Sequence, residues 1–427
     1  MSTARYNCPC CSEPLKFSGE SGKLECASCG NAYEPEALEM MTPSESGEQI
    51  SFASTAERFG SADSGVQGYI CQSCGAELLT EDTTTATECP YCGSPTILPD
   101  RIEGGVKPEK VVPFTVTKEQ AQKQFKDYFK GKKLLPNLFL NGRNRICEMR
   151  RLYAPYWLFD CSAYADVVYD AEKERTETRG EWEITRTAHY VVRRRGGMRF
   201  ENIPVDGSVK LDDRLTESLE PYDLSAAIPF QSAVLAGAMA DHADADCGAC
   251  EKRAVERVEH SVAEAMRNTV TGYTTVTERS RSIHTENGKA TPVLLPIWLI
   301  TTEKEGKTST FAINGQTGKL TCDVPADKKK ALLWDGGVFV GLFGAAALIL
   351  ALAEAVSGGA LLLATLFALV LALVVVGVLK GQLKQAAQQT AANGYLRRDS
   401  FKLEVNFDHF LYETASKRKI ENNSQKK

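Results

Sequence analysis

Cys8-Pro-Cys-Cys11 and Cys26-Ala-Ser-Cys29 are separated by 14 residues, and Cys71-Gln-Ser-Cys74 and Cys89-Pro-Tyr-Cys92 by 14 again. A C-x2-C pair sets two thiolates on one tight turn, and two facing turns supply the four sulfurs at about 2.3 Å that tetrahedral zinc takes. The pattern predicts two structural Zn2+ sites, one held by Cys8, Cys11, Cys26 and Cys29 and the other by Cys71, Cys74, Cys89 and Cys92. A site closed by four thiolates keeps no position for water, so the chemistry expected is recognition and not catalysis. Gly30, Gly75 and Gly93 each follow the second cysteine of a pair, where the knuckle favours positive φ, and Pro9 and Pro90 stiffen the turns. Cys10 is left spare.

Disulfide pairing is the competing reading of these thiols, and it belongs to small secreted domains. The amino terminus, Met-Ser-Thr-Ala-Arg-Tyr, has no apolar stretch, so a reducing cytosolic setting is expected. A ribbon this small buries little apolar surface, and metal binding, on the order of 10 kcal/mol or more, supplies most of its folding free energy.

The elements that position these sites divide the chain into ribbon 1 (1–40), a flexible linker (41–67), ribbon 2 (68–100), an α+β domain (101–330), two apolar spans (333–354 and 357–379) and a basic tail (380–427). The linker carries Ser44, Ser46, Ser51, Ser54, Ser61 and Ser64 and reads as a tether that leaves the ribbons as separate beads. In the middle domain, Val111-Val-Pro-Phe114 leads to a helical pattern, Lys118–Lys130, and then to Leu152-Tyr-Ala-Pro-Tyr-Trp-Leu158. Ile228-Pro-Phe230 leads similarly to a helix over Arg253–Met266 and to Leu294-Leu-Pro-Ile-Trp-Leu299. Two related halves with a mainly antiparallel sheet are expected. Further strands are expected over Ala163–Tyr169, Trp182–Val192, Gly272–Thr277, Ser309–Ile313 and Ser400–Tyr412, with a helix over Lys380–Ala392 and a disordered end from Lys417.

Gly336–Ala353 holds 18 residues without charge and Ala355–Leu379 holds 25, lengths that come close to or exceed the roughly 20 needed to span a bilayer as helix. The turn Glu354-Ala-Val-Ser-Gly-Gly359 has no basic residue, whereas Lys328, Lys329 and Lys330 precede the pair and Lys380 and Lys384 follow it. That asymmetry predicts an integral membrane hairpin with both chain ends cytoplasmic. Gly341, Gly344 and Ala345 to Ala347 offer a small-residue face on the first span.

Residues 1–110 hold 7 Lys/Arg against 17 Asp/Glu, a balance opposed to phosphate binding, so protein recognition is favoured over nucleic acid. A membrane-tethered nucleic-acid-binding ribbon protein is the alternative. Glu305-Gly-Lys-Thr308 lacks the first glycine of a phosphate-binding loop and reads as a hairpin turn. Cys247-Gly-Ala-Cys250, with Asp241, His242, Asp244 and Asp246 nearby, reads as the acidic start of a helix, with a third metal or redox site as the alternative. Cys147, Cys161 and Cys322 read as buried apolar residues. Arg193-Arg-Arg-Gly-Gly-Met-Arg199 reads as a solvated turn or a contact for anionic lipid. The five histidines, at 189, 242, 260, 284 and 409, fit no nucleophile or metalloprotease motif, and no enzyme activity is expected.

The succession of two ribbons, Val-Val-Pro-Phe114, Leu-Tyr-Ala-Pro-Tyr-Trp-Leu158, Asn-Ile-Pro-Val-Asp-Gly207, Pro-Ile-Trp-Leu299, Phe-Ala-Ile-Asn-Gly-Gln-Thr-Gly-Lys319 and a terminal apolar hairpin resembles a bacterial family of membrane proteins with transcription-factor-B-type zinc ribbons. The resemblance covers nearly the whole chain, and it carries the zinc ligands to the same eight cysteines. Members are often labelled primosomal-helicase-like, yet this chain has no helicase motif. Others look like partners of phage-shock-type and flotillin-like proteins in envelope stress. The resemblance thus implies a cytosol-facing membrane adaptor that binds protein partners. Cys247 and Cys250 lie outside its pattern.

Overall fold

The computed structural model describes residues 6–41, 52–59, 66–81, 89–92, 94, 97–100, 105–135, 147–236, 238–304, 307–322, 326–353, 356–381, 383 and 386–420. Ribbon 1 contains three short antiparallel strands, β1 (Lys16–Phe17), β2 (Leu24–Glu25) and β3 (Ala32–Tyr33), and helix α1 (Pro35–Met40). Two short strands follow, β4 (Ala53–Ser54) and β5 (Glu57–Arg58). Ribbon 2 is built on β6 (Val66–Cys71), β7 (Glu77–Glu81) and β8 (Ile97–Asp100). Next come β9 (Val106–Lys107), β10 (Lys110–Val111) and α2 (Lys118–Phe129), which starts at a reciprocal cap between Thr117 and Gln120.

The centre of the protein is a pair of long strands, β11 (Cys147–Arg179) and β12 (Trp182–Asp206), which reverse at Gly180 with φ 62°. Helix α3 (Asp213–Glu217), β13 (Ile228–Pro229) and β14 (Met239–Asp241) lead to α4 (Cys247–Asn268). A second long strand, β15 (Thr275–Lys304), pairs with β16 (Lys307–Asn314), which pairs with β17 (Leu320–Cys322). Two apolar helices, α5 (Lys328–Leu352) and α6 (Gly358–Gly381), precede the last strand, β18 (Lys402–Lys419).

The long strands form an antiparallel ladder in the order β15-β11-β12-β18. Alternation along β11 decides what each face packs against. Trp157, Phe159, Cys161, Ala163, Ala165, Val167, Tyr169 and Ala171 meet Cys250, Ala254, Val258, Val262 and Met266 of α4. Val168 turns to the opposite face and joins the core of ribbon 1. Gly196 permits the close approach of β18, since a Cβ there would lie 2.1 Å from the Lys402 carbonyl oxygen. The architecture is α+β with mostly antiparallel sheet, as the alternating patterns predict.

Two parts of the middle domain share one arrangement of short strand, helix and long strand. Strand β10 pairs parallel with β15 at Val293 and Leu294, and β14 pairs parallel with β11 at Leu152 and Tyr153. A helix follows each short strand, and each long strand carries the related words Pro155-Tyr-Trp157-Leu158 and Pro296-Ile-Trp298-Leu299. Gly207 donates to the Pro155 carbonyl at 2.9 Å and Gly315 to the Pro296 carbonyl at 2.8 Å. Ala245 donates to Gly207 at 3.0 Å and Val116 to Gly315 at 2.8 Å. The expected pairing of repeats needs one correction. Ile228-Pro-Phe230 is not the counterpart of Val111-Val-Pro-Phe114 but its antiparallel neighbour, with Val111 opposite Ile228, and Met239–Asp241 takes the equivalent place.

Several other expectations change. The helix expected over Lys380–Ala392 is not seen among the described residues beyond Gly381, where α6 ends, and the non-helical strap at 386–392 gives its amide groups to other elements. Ala387 donates to Ser218 Oγ at 2.8 Å, Gln389 to Glu217 Oε2 at 2.7 Å and Ala392 to Ser261 Oγ at 2.6 Å. Lys417, Arg418 and Lys419 are not a loose end but continue β18, opposite Ile184, Glu183 and Trp182. A Cβ on Gly341 or Gly344 would meet open space, so these two glycines are not where α5 packs on α6, and α6 buries Ala368, Ala372 and Val376.

Candidate metal centres

Within each ribbon the four Sγ atoms lie within 4.8 Å of one another. Cys8 and Cys29 are 3.5 Å apart, Cys11 and Cys26 3.4 Å, Cys71 and Cys92 3.7 Å, and Cys74 and Cys89 3.7 Å. A tetrahedron with metal–sulfur bonds of about 2.3 Å has edges of about 3.8 Å, so both sets fit a divalent metal, and the all-sulfur donor set favours zinc or iron over hard cations. Local backbone bonds make the knuckles: Ser12, Gly30 and Gly75 donate to the carbonyls of Cys8, Cys26 and Cys71 at 2.8, 3.0 and 2.8 Å. All three have positive φ, so Ser12 fills in the first knuckle the place that glycine holds in the others, while Gly93 lies outside the described residues.

Outer contacts favour the thiolate state at Cys8, Cys26 and Cys71, whereas the thiols of Cys11, Cys29, Cys74 and Cys89 are raised. Burial raises the Cys71 thiol, but backbone N–H groups of Cys74 and Ser73 outweigh it and bring it down to about 7. The Tyr33 hydroxyl lies 3.2 Å from Cys8 Sγ and the Asn31 amide 3.4 Å from Cys29 Sγ.

Neither ribbon is a free bead, which corrects the tether reading. Ribbon 1 packs Leu24, Tyr33 and Leu38 against Val168, Val191 and Leu411 of the long sheet. Ribbon 2 joins the sheet directly, Leu79 and Leu78 of β7 pairing with Ala240 and Asp241 of β14. Arg150 donates to the Cys89 carbonyl at 2.7 Å and Lys210 to the Cys74 carbonyl at 3.0 Å. Within the span read as linker, Phe52 is buried edge-on against Phe159 with ring centres 5.1 Å apart, and β4 pairs with β15. Ser44, Ser46, Ser51, Ser61 and Ser64 lie outside the described residues.

Under ribbon 2 lies a group that sequence reasoning did not bring together, although it singled out Asp241. Asp206 and Asp241 are buried at 1% and 2% exposure. Ser208 N–H and the Thr216 hydroxyl donate to Asp206, the Ser208 hydroxyl donates to Asp241, and Tyr91 reaches in from between Cys89 and Cys92. The repeat shows what the fold itself requires: where the first half has Asp206, the second has Asn314, whose Oδ1 accepts from Gln316 N–H as Asp206 accepts from Ser208. A neutral amide satisfies this turn.

Burial pushes the Asp241 carboxyl up to about 7, against the hydrogen bonds from Ser208 and Tyr91, while Asp244 adds a like charge. Burial also holds Asp206 well above the ordinary carboxylate range. A carboxyl with its folded-state pKa above the unfolded value, about 3.9, contributes stability below that value and loses it as pH rises through the folded pKa. Stability of the ribbon 2 contact is therefore expected to fall as pH rises from about 4 to about 7, by about 1.4 kcal/mol per pH unit for one full proton. Asp241→Asn keeps an acceptor for Ser208 and should flatten this slope. Thermal unfolding with zinc in excess should come closest to wild type near pH 4 and exceed it near pH 8, and parallel curves would refute the assignment.

The remaining candidates resolve structurally. Cys250 Sγ donates to the Asp206 carbonyl at 3.3 Å, Asp244 accepts from Val209 N–H at 2.6 Å, and Asp246 precedes the first residue of α4. Among the described residues these form no metal cluster with Cys247 or any histidine. Burial raises the Cys247 and Cys250 thiols to about 11 and about 12, which keeps them protonated. Cys161 and Cys322 are buried, whereas the Cys147 side chain lies outside the described residues. Residues 307–308 pair back onto 303–304, as the hairpin reading of Glu305-Gly-Lys-Thr308 requires.

The arginine cluster is not a turn. It lies inside β12, where Arg193 and Arg195 share Asp166 at 2.6 and 2.8 Å and Arg194, 3% exposed, pairs with Asp408. Charges in the middle of a long strand face whatever the sheet packs against, and here that includes ribbon 1: Arg193 also donates to the Met40 carbonyl at 3.5 Å.

Fold and site together define a class: a mostly β-sheet α+β protein with two four-cysteine clusters near its N-terminus and two C-terminal helices long and apolar enough to cross a membrane. The chain is 35% identical over 344 residues to the uncharacterized protein YdjG of Bacillus subtilis strain 168, a match covering 81% of this chain and 96% of that one. It belongs to the family of that protein. No protein-family profile and no solved structure matches.

Proposed function

We propose that this protein is a non-catalytic zinc-ribbon adaptor, anchored in the cell membrane by α5 and α6 with both chain ends in the cytoplasm, whose ribbons bind a protein partner in the response to envelope stress. The observation that supports this most is the rooting of both ribbons and both apolar helices in one domain. Ribbon 1 sits on the long sheet, ribbon 2 continues it through β14, and the strap after α6 crosses α3 and α4 before β18 rejoins β12. A ligand on a ribbon thus bears on a body fixed at the bilayer. Closed thiolate sites suit binding without turnover, and the excess of 17 acidic over 7 basic residues in 1–110 suits a protein partner better than nucleic acid.

Ribbon 1 presents Phe17, 65% exposed, on its β-hairpin, the kind of aromatic that anchors a protein interface. Crosslinking the full chain in cells, followed by recovery from detergent-solubilised membranes and mass spectrometry, should yield a protein partner that Phe17→Asp loses by about tenfold or more. Recovery of the same partners by both forms counts against ribbon 1 as the docking surface. Recovery of the chain in the soluble fraction after an alkaline wash overturns the anchor.

A further inference from the structure

We infer that the mouth of the helical hairpin is a collar that binds the headgroups of anionic phospholipids; this rests on the reading of α5 and α6 as a membrane anchor. The turn after α2 packs against the first turn of α5. Asp327 donates its N–H to the Leu134 carbonyl at 2.9 Å, Lys330 Nζ donates to the Leu135 carbonyl, and Leu134 and Leu135 share a core with Ala331 of α5 and Val376 of α6. The start of one apolar helix and the end of the other are thus held at the same level as residues 130–135.

That level is strongly basic. The stretches 118–135, 326–335 and 376–383 contain ten lysines and four acidic residues, whereas the whole chain has net charge −5, so positive charge is concentrated where the two helices leave the domain. Two of the four carboxylates are already engaged, Asp127 with Lys130 at 2.6 Å and Asp327 capping the N–H groups of Lys329 and Lys330. Two of the lysines are held in place by aromatic rings. Lys132 Nζ lies 4.2 Å from the centre of the Tyr128 ring, and Lys133 Nζ lies 4.4 Å from that of Trp334. Trp334 stands nearly two turns into α5, at the depth where tryptophan favours the boundary between water and hydrocarbon. Lys133 above it is therefore level with lipid phosphates, and Lys130, Lys132, Lys328, Lys329 and Lys380 lie on the segments that meet there. Ammonium groups near an anionic bilayer surface contribute about 1 kcal/mol each. Ordering by the two rings lowers the entropy lost when a headgroup is bound.

The full chain, extracted from membranes in mild detergent and placed in nanodiscs of phosphatidylcholine with or without phosphatidylglycerol, tests the collar. Native mass spectrometry should show phosphatidylglycerol retained in preference to phosphatidylcholine, the preference decreasing with added salt. Lys130→Gln, Lys132→Gln and Lys133→Gln together should reduce that preference by about 100-fold, while the corresponding Lys→Arg variant preserves it. Equal retention of the two lipids by the wild-type chain, or an unchanged preference in the Gln variant, overturns the collar. Failure of the chain to enter nanodiscs at all is a failure of the anchor reading and is recognised by its recovery without lipid.

Discussion

Replacing Cys71 and Cys74 by serine is expected to abolish metal binding at one of the two four-cysteine sites and to loosen the middle domain well beyond ribbon 2. Zinc bound by four thiolates is worth about 10 kcal/mol or more of apparent folding free energy, and a ribbon of this size has little apolar core to replace it. The loss spreads because ribbon 2 shares hydrogen bonds with the domain: β7 pairs with β14, Lys210 holds the Cys74 carbonyl and Tyr91 covers Asp206 and Asp241. Without Tyr91 in place, these two carboxyl groups open to water. Hydrogen exchange should show lost protection at Met239–Asp241 and around Ser208. Serine at Cys8 and Cys11 should also abolish metal binding at one site but leave β14 protected, because β1, β2 and β3 form their own sheet and touch the domain through side chains. Equal protection of β14 in the two variants would refute the integration of ribbon 2.

The second large effect is expected at Arg257, which is buried in an ion pair inside the domain. It lies on α4 at 3% exposure and donates to both oxygens of Glu220 at 3.1 and 2.8 Å, to the Pro204 carbonyl at 2.7 Å and to the Ala391 carbonyl at 3.3 Å. The Tyr395 hydroxyl completes Glu220 at 2.6 Å. Arg257→Ala leaves a buried carboxylate without its partner and should destabilise the protein by about 3–5 kcal/mol. Lysine should rescue little, since a single ammonium cannot span two carboxylate oxygens and two carbonyls. Arg257→Met combined with Glu220→Leu should recover much of the loss, because the desolvated charge is then absent. Denaturant unfolding in mild detergent reads all three. Because Ala391 and Tyr395 belong to the strap between α6 and β18, the alanine variant should also expose residues 386–396 to protease.

The middle domain shows how much was legible in residues alone. Pro155-Tyr-Trp-Leu158 and Pro296-Ile-Trp-Leu299 signal a repeat because each is a local word, placed where a glycine of the adjacent strand returns to the proline carbonyl. The first short strand of each half was harder to find. Val111 and Ile228 share a pattern because they pair with each other, whereas Ala240 and Asp241, the true counterparts of Val111 and Val112, carry a different chemistry. Resemblance between short apolar words reports a shared environment as readily as a shared ancestry.

What the sequence by itself determined are features set within a few residues of chain: eight thiols on four knuckles, two uncharged helical runs, and strands written in alternation. Each depends on turn geometry, helix length or side-chain period, and these act over neighbours. Only the tertiary structure decided that the ribbons are docked, that Asp166 gathers two arginines inside a strand, that residues 386–392 are a strap and not a helix, and that Asp206 and Asp241 are buried under Tyr91. Each of these turns on a partner more than 25 residues away. Whether a charge is solvated or desolvated, and whether an amide bonds to its own helix or to a distant hydroxyl, depends on which face arrives opposite it. Local sequence carries no record of that arrival.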